Sequence, residues 1–192
     1  ALAQGFEFHH CHPAEVMMIR RLVADAPLPL FSTHSIGAGA VVLNDRTELL
    51  TVLEQGDVEA RPHNVKLPGG MLERGELLAD GVVREVFEET GVRTEFQGLI
   101  SFRHHHRGQF GESNFYMVCR LRPITHEIHI DEREIAQAMW IPVDQYLARE
   151  GIGLFNRRVV QTALAAPLMA SIKINGYMDG PDDYEIFVTV PA

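Results

Sequence analysis

The stretch Gly69–Val92, GGMLERGELLADGVVREVFEETGV, decides how the rest of the chain is read. Lys66, Leu67 and Pro68 close a short extended run ahead of it, and Gly69-Gly70 break that run, because glycine tolerates backbone angles that other residues avoid. From about Glu76 to Thr90 the pattern is helical, and Gly91 is the stop expected just past a helix end. At about 100° per residue, Leu78, Ala79, Val82, Val83, Val86 and Phe87 take one half of the helix. Glu85, Glu88 and Glu89 gather on the other half, with Gly81 one turn below Glu85. Three carboxylates this close repel one another unless a cation sits among them. Hard oxygen donors at this density suit Mg²⁺ or Mn²⁺, and Mg²⁺ is commonly completed by substrate phosphates and water. Gly81 leaves open the space a phosphate needs. Taken alone, REVFEE also reads as a solvated acidic face in which Arg84 pairs with Glu88 one turn later.

The full spacing is more specific than the acidic face. Five residues separate Gly70 from Glu76, seven more separate Glu76 from Arg84-Glu85-Val86, and Glu88-Glu89-Thr90-Gly91-Val92 follow. This resembles, without a departure, the signature loop-helix-loop of the Nudix hydrolases. The resemblance implies an α/β fold, an α/β/α sandwich around a mixed β-sheet. It also implies Mg²⁺- or Mn²⁺-dependent cleavage of a nucleoside diphosphate linked to another moiety. Glu85, Glu88 and Glu89 then stand at the positions of metal ligands, and the Gly69 carbonyl at that of a backbone ligand. Arg84 and Glu76 match the pair that locks the loop against the helix. A bound metal polarises phosphoryl oxygens and lowers the pKa of a bound water, and positioning does most of what remains.

Outward from this stretch the likeness continues. GFEFHH, STHSIGAGAVVLND, KLPGG, LISFRHHH, FGESNFYMVCRLRP and EIAQAMWIPVDQYLA are similar to one Nudix branch. That branch includes a vertebrate protein encoded antisense to a fibroblast growth factor gene and plant ADP-ribose and NADH pyrophosphatases. The likeness runs over roughly residues 5–148. Residues 1–33 then read as an N-terminal extension, the tail of a preceding domain, and 34–192 as the Nudix domain. Glu15–Ala24 is weakly helical, and Pro27 and Pro29 in ADAPLPLF mark a linker. His9, His10, Cys11 and His12 hold zinc-type donors, but adjacent ligands rarely fit one tetrahedral ion, so ordinary hydrogen bonding is expected of them.

His34–Asn44 reads as a buried strand with close packing at Gly37 and Gly39, followed by a turn at Asp45-Arg46 and a hairpin partner over Glu48–Leu53. Glu54–His63 reads as a polar loop. Thr94–Arg103, Asn114–Leu121 and a short Glu127–Ile130 read as strands. Met139-Trp140 begins another before Pro142 opens a helical turn. Asn156–Met169 is an amphipathic helix, and Ile172–Ile174 and Tyr184–Val190 are extended around a turn at Asp179-Gly180-Pro181.

Several residues outside the signature carry candidate roles. Glu134, six positions before Trp140, matches a loop glutamate that can supply a further metal ligand or the general base; Asp131 and Glu132 compete with it, and a solvated loop charge is the plain alternative. The branch resemblance covers Arg103 and His106, which makes them substrate-contact candidates for a phosphate or ribose, against a wet histidine loop. Phe110 and Tyr116 are candidates for stacking on a base, although aromatic residues in strands belong more often to the core. ADP-ribose or NADH is the substrate that the branch implies. CoA derivatives, dinucleoside polyphosphates and a non-catalytic nucleotide-binding module that regulates a partner are the alternatives. Retention of Glu85, Glu88 and Glu89 favours the enzyme.

Composition bounds the rest. At 192 residues and 46% apolar content, one soluble globular domain is expected. A net charge of −9 argues against broad contact with nucleic acid or anionic membranes, but not against a phosphate substrate reached through bound cations. Cys11 and Cys119 alone imply no disulfide framework, which points to a reducing, cytoplasmic setting. No apolar run approaches the about 20 residues that cross a bilayer. The chain opens on Ala1 rather than Met, which leaves room for an upstream targeting segment. A homodimer is compatible with the family resemblance.

Overall fold

The computed structural model describes residues 1–12, 14–23, 34–106, 112–174, 177 and 184–189. Among them, β1 (Glu7–His12) and β2 (Glu15–Ile19) form an antiparallel ribbon of their own. Next come β3 (His34–Val42), β4 (Glu48–Glu54), the short β5 (Gly69–Met71) and α1 (Leu78–Thr90). The long strands β6 (Thr94–His105) and β7 (Ser113–Pro123) lead to β8 (Ile135–Pro142), α2 (Val143–Ala148) and α3 (Leu154–Ala165). The last strands are β9 (Met169–Ile172) and β10 (Ile186–Thr189).

The central sheet runs β10-β9-β6-β7-β3-β5 and is mixed, with β3 and β7 parallel and the other neighbours antiparallel. Strand alternation splits the core into two layers. Ala38, Ala40 and Val42 of β3, with Cys119 and Leu121 of β7, meet Val82 and Val86 of α1. Val41 and Val118 point the other way, onto Tyr146 of α2 and Val159, Val160 and Ala163 of α3. Helices therefore cover both faces, giving the α/β/α sandwich. Among the described residues, no helix is long and apolar enough to cross a membrane.

Several expectations need correction. Glu48–Leu53 is a strand, but it is not the ladder partner of β3. The turn between them is tied by Asn44, whose Oδ1 accepts from the amides of Arg46 and Glu48, and one bridge, Leu43–Leu49, joins the arms. β4 then leaves to pair with β8, so a long-range ladder wins over the local hairpin. Glu15–Ile19 is a strand rather than a helix, because pairing with β1 overrides a weak local propensity. Glu127–Ile130 forms no strand; His129 donates its amide to Thr90 at the end of α1 instead. α3 ends at Ala165, two residues before Pro167, and Met169 already belongs to β9. The linker at ADAPLPLF and the Asp179-Gly180-Pro181 turn lie outside the described residues.

Gly69 and Gly70 do not break the extended run but form β5, paired with Gly39 and Ala38. The need for glycine here is close approach. A Cβ at Gly69, where φ is 145°, would stand 2.1 Å from the Ala38 carbonyl oxygen. A Cβ at Gly70 would stand 2.4 Å from the Glu85 carboxylate. The backbone of β5 thus comes directly under a side chain of α1, and that contact defines the site.

Candidate active site

α1 begins at Leu78 and ends on Gly91, whose left-handed conformation (φ 69°) and amide bond to the Phe87 carbonyl close the helix. Leu78, Val82 and Val86 are buried as the apolar spacing requires, but Phe87 is 46% exposed. Glu89 departs from the acidic-face reading in the other sense, with 8% exposure. It stands seven residues after Val82, two helical turns along the same buried stripe.

A cleft of about 360 Å³ opens where α1 meets β5 and the ends of β4 and β8. Glu85 and Glu89 enter it from α1, Gly69 and Gly70 from β5, and Glu54 and Glu134 from the far side. One oxygen of Glu89 accepts the Gly69 amide at 2.9 Å. Burial, reinforced by the charges of Glu85, Glu54 and Glu134 and opposed by the Gly69 bond, pushes the Glu89 carboxyl up to about 8. Glu85 is also raised, since burial outweighs its bond to Arg84.

Behind the cleft, Arg84 ties the loop to the helix. Its Nε and Nη2 donate to the two oxygens of Glu76 at 2.7 and 2.9 Å, a forked arrangement, and Nη2 also reaches the Met71 carbonyl at 3.2 Å. Nη1 bonds both Glu85 (2.9 Å) and Glu88 (2.8 Å). Arg84 holds the Glu76 carboxyl below its usual range, and these carboxylates raise Arg84 further. The Arg84–Glu88 ion pair of the plain reading is therefore present inside a larger network.

Gly81 does not open room for a phosphate. A Cβ there would lie 2.3 Å from Cδ2 of Leu72 and 2.7 Å from Oε2 of Glu76, so the space belongs to the signature loop. In an unhindered helix, Gly81→Ala would stabilise by about 1 kcal/mol. Here it displaces Glu76 from Arg84. We expect a lower melting temperature and turnover reduced about ten-fold with KM little changed, since the reacting groups lose their alignment. Steady-state kinetics check this; a rise in KM at constant kcat would return the space to the substrate.

The structure brings together Gly69, Glu85, Glu89 and Glu134, and sets Glu76 and Arg84 directly behind them. Glu88 is not among the residues lining the cleft; its side chain is 58% exposed and bonded to Arg84. Arg103 stacks its guanidinium over Tyr116 (5.4 Å) and Phe155 (5.0 Å), on the sheet face where Tyr116 covers Gly37 and Gly39 beside the Gly70 carbonyl. His106 is not beside it. Its ring meets His104 edge-on at 4.6 Å, and His104 stacks on Phe115 on the opposite face. Strand alternation thus separates the two substrate-contact candidates. Phe110 lies outside the described residues.

Glu54 was not anticipated. It ends the apolar strand LLTVLE and is carried to the cleft by the β4–β8 ladder. Lys66 bridges it (2.8 Å) to the buried Asp57 (2.9 Å), which Asn64 and Arg61 also bond. The sequence signal was a carboxylate closing an apolar strand, with a lysine three residues before Gly69.

Among the described residues, no three carboxylate, imidazole or thiolate groups already converge on one point as ion ligands. The donor chemistry nonetheless fits a hard divalent cation. Four carboxylates share one cleft, and Glu89, raised by burial and further by the neighbouring charges, is a group whose ionised form such an ion would stabilise.

A six-stranded mixed sheet between helices, with its cleft built on a loop, a helix and a short strand, defines the class. The NUDIX domain profile matches residues 33–163, and the chain belongs to the Nudix family. It is 39% identical over 149 residues to Nudix hydrolase 8 of Arabidopsis thaliana, covering 77% of this chain and 40% of that protein. It is 40% identical over 153 residues to Nucleoside diphosphate-linked moiety X motif 6 of Mus musculus, covering 78% of this chain and 48% of that one. The chain spans about half the length of most of these curated relatives. Among solved structures, the MutT protein of Methanosarcina mazei Go1 shares the fold at a TM-score of 0.56 and 20% identity, over 69% of this chain and 94% of that one.

Proposed function

We propose that the chain is a Mg²⁺- or Mn²⁺-dependent pyrophosphohydrolase of nucleoside diphosphate-linked compounds, with ADP-ribose or NADH as substrate and AMP as a product. The observation that carries this reading is the meeting of Glu85, Glu89 and Glu134 with the Gly69-Gly70 backbone around one cleft. In the reaction water adds its oxygen to one phosphorus and the bridging P–O–P bond breaks, leaving two phosphomonoesters. Glu85, Glu89 and the Gly69 carbonyl are the residues that would hold the metal, and Glu88 would join them by leaving Arg84. When bound, it supplies charge neutralisation at the phosphoryl oxygens and a more acidic water. Glu76 and Arg84 orient Glu85 and Glu88 by the bonds described above. Glu134, which lines the same cleft, would accept a proton from the attacking water. Arg103 on its aromatic bed is a contact for the part of the substrate beyond the diphosphate.

The name Nucleoside diphosphate-linked moiety X motif 6 supports the substrate class, and the branch resemblance read in the sequence motifs is what points to ADP-ribose or NADH within it. Purified protein assayed with ADP-ribose, NADH, CoA and a dinucleoside polyphosphate, with Mg²⁺, Mn²⁺ or chelator, tests it by product identification. AMP released from ADP-ribose or NADH and abolished by chelator is the expected result. Turnover of CoA or dinucleoside polyphosphate alone would replace the substrate. Tight ADP-ribose binding without turnover of any of them would make the chain a nucleotide-binding regulatory module.

A further inference from the structure

α1 carries the signature glutamates but lacks a cap of its own. Its N-cap residue is Leu77, which has no side-chain oxygen to accept the first free amides. The acceptor comes from the other end of the chain. The two carboxylate oxygens of Glu185 take the amides of Leu78 (2.5 Å) and Ala79 (3.2 Å), 107 and 106 residues away in sequence. Glu185 immediately precedes β10, whose ladder with β9 fixes its position, and β9 joins β6 through Leu99–Met169. Phe187 anchors the same strand, its ring 6.0 Å from that of Phe96 in the apolar layer under α1. Leu72, Glu76 and Leu77 of the signature loop face Tyr184, Glu185 and Phe187 across one cavity of about 540 Å³.

We propose that Glu185 is a positioning residue for the catalytic helix, an inference that rests on the hydrolase reading of the cleft. The C-terminal β9–β10 hairpin delivers a carboxylate to the helix start, where it meets both the free amides and the positive end of the helix dipole. Leu78 is two residues past Glu76. Fixing the Leu78 amide therefore fixes the loop that presents Glu76 to Arg84, and through Arg84 the setting of Glu85 and Glu88. The tail acts on the site without touching the cleft, since Glu185 is absent from its lining.

Glu185→Ala, Glu185→Gln and Glu185→Asp test this with two readouts. Hydrogen exchange at the Leu78 and Ala79 amides is followed by NMR, and kcat and KM are measured on the substrate identified above. In Glu185→Ala both amides are expected to exchange faster, with kcat reduced about ten-fold and KM within about two-fold, the signature of misaligned groups rather than lost binding. Glu185→Gln keeps one acceptor oxygen and the fold, and is expected to fall between. Partial recovery of kcat in Glu185→Asp relative to Glu185→Ala would support the role. Unchanged exchange in Glu185→Ala overturns the cap. Faster exchange with kcat and KM both unchanged overturns the positioning role and leaves a structural one. Absence of hydrolysis by the wild-type protein overturns the hydrolase reading instead. Calorimetric Mn²⁺ affinity then takes the place of kcat, with about ten-fold weakening in Glu185→Ala expected and equal affinity overturning the role.

Discussion

Glu89→Gln is expected to abolish hydrolysis while making the metal-free protein harder to unfold at pH 8. The two effects have one origin. Glu89 is a buried carboxylate among Glu85, Glu54 and Glu134, and its pKa is pushed up to about 8 from an ordinary value of 4.5. Below pH 4.5 it is protonated in both folded and unfolded chains and contributes nothing to the pH dependence. Between 4.5 and 8 the unfolded chain ionises while the folded one keeps its proton, so stability falls as pH rises, and above 8 the whole penalty is present. Glutamine removes the ionisation yet keeps an oxygen for the Gly69 amide. At about 1.4 kcal/mol for each ten-fold change in proton affinity, the variant should gain on the order of 2–4 kcal/mol at pH 8 and nothing at pH 4. On the proposed reading a divalent ion should reverse the ranking, because wild-type protein would gain stability by binding it and the variant would lack one of its ligands. Turnover should drop about a thousand-fold or more, the scale of several kcal/mol of lost charge stabilisation. Thermal melts across pH with and without Mg²⁺, beside steady-state assays, check both halves. A metal-free variant that melts below wild type at pH 8 would mean that Glu89 is not under electrostatic stress.

That stress also shows what the sequence could and could not convey. The signature was legible because its chemistry depends on residue types at fixed local spacing, and a helix turns such spacing directly into geometry. The same local rule already contained the burial of Glu89, seven residues from Val82, but treating the acidic residues as one polar half concealed it. Sheet pairing was less legible. β4 follows β3 after only five residues and still belongs to β8, because its partner is chosen by burial across the whole core rather than by the turn. Glu54 was missed for that reason, since the β4–β8 ladder carries it to the cleft, and Glu185 meets the start of α1 only because β9 is tied back to the distant β6. Gly81 failed differently. A missing side chain suggests space for a ligand, whereas Leu72 and Glu76 of the neighbouring loop fill it. Past the bulges of β6, alternation sends Arg103 and His104 to opposite faces, and His106, just beyond the strand end, packs on His104.

Arg84→Ala should cost nearly as much activity as the loss of a ligand, without removing one. Its guanidinium donates to Glu76, Glu85 and Glu88 together and to the Met71 carbonyl, so one side chain both neutralises three carboxylates and closes the loop. Alanine leaves those carboxylates close together with no counter-charge. We expect kcat lowered about a hundred-fold or more and metal-free stability reduced by about 1–3 kcal/mol, since hydrogen-bonded, partly buried charges lose their partner. Arg84→Lys should not restore turnover, because an ammonium is a point donor and cannot fork onto Glu76 while bridging the other two. The acid limb separates this account from simple loss of packing. Arg84 depresses the folded pKa of Glu76 below 4.5, so the pair contributes stability that is present above pH 4.5 and is lost as pH falls through the depressed value. Wild-type stability should therefore decline more steeply below pH 4.5 than that of Arg84→Ala, and the two curves should draw together. Urea unfolding at pH 3, 4, 5 and 7 measures it. Parallel curves over that range, or full activity in Arg84→Lys, would show that charge and fork geometry at Arg84 do not hold the glutamates in place.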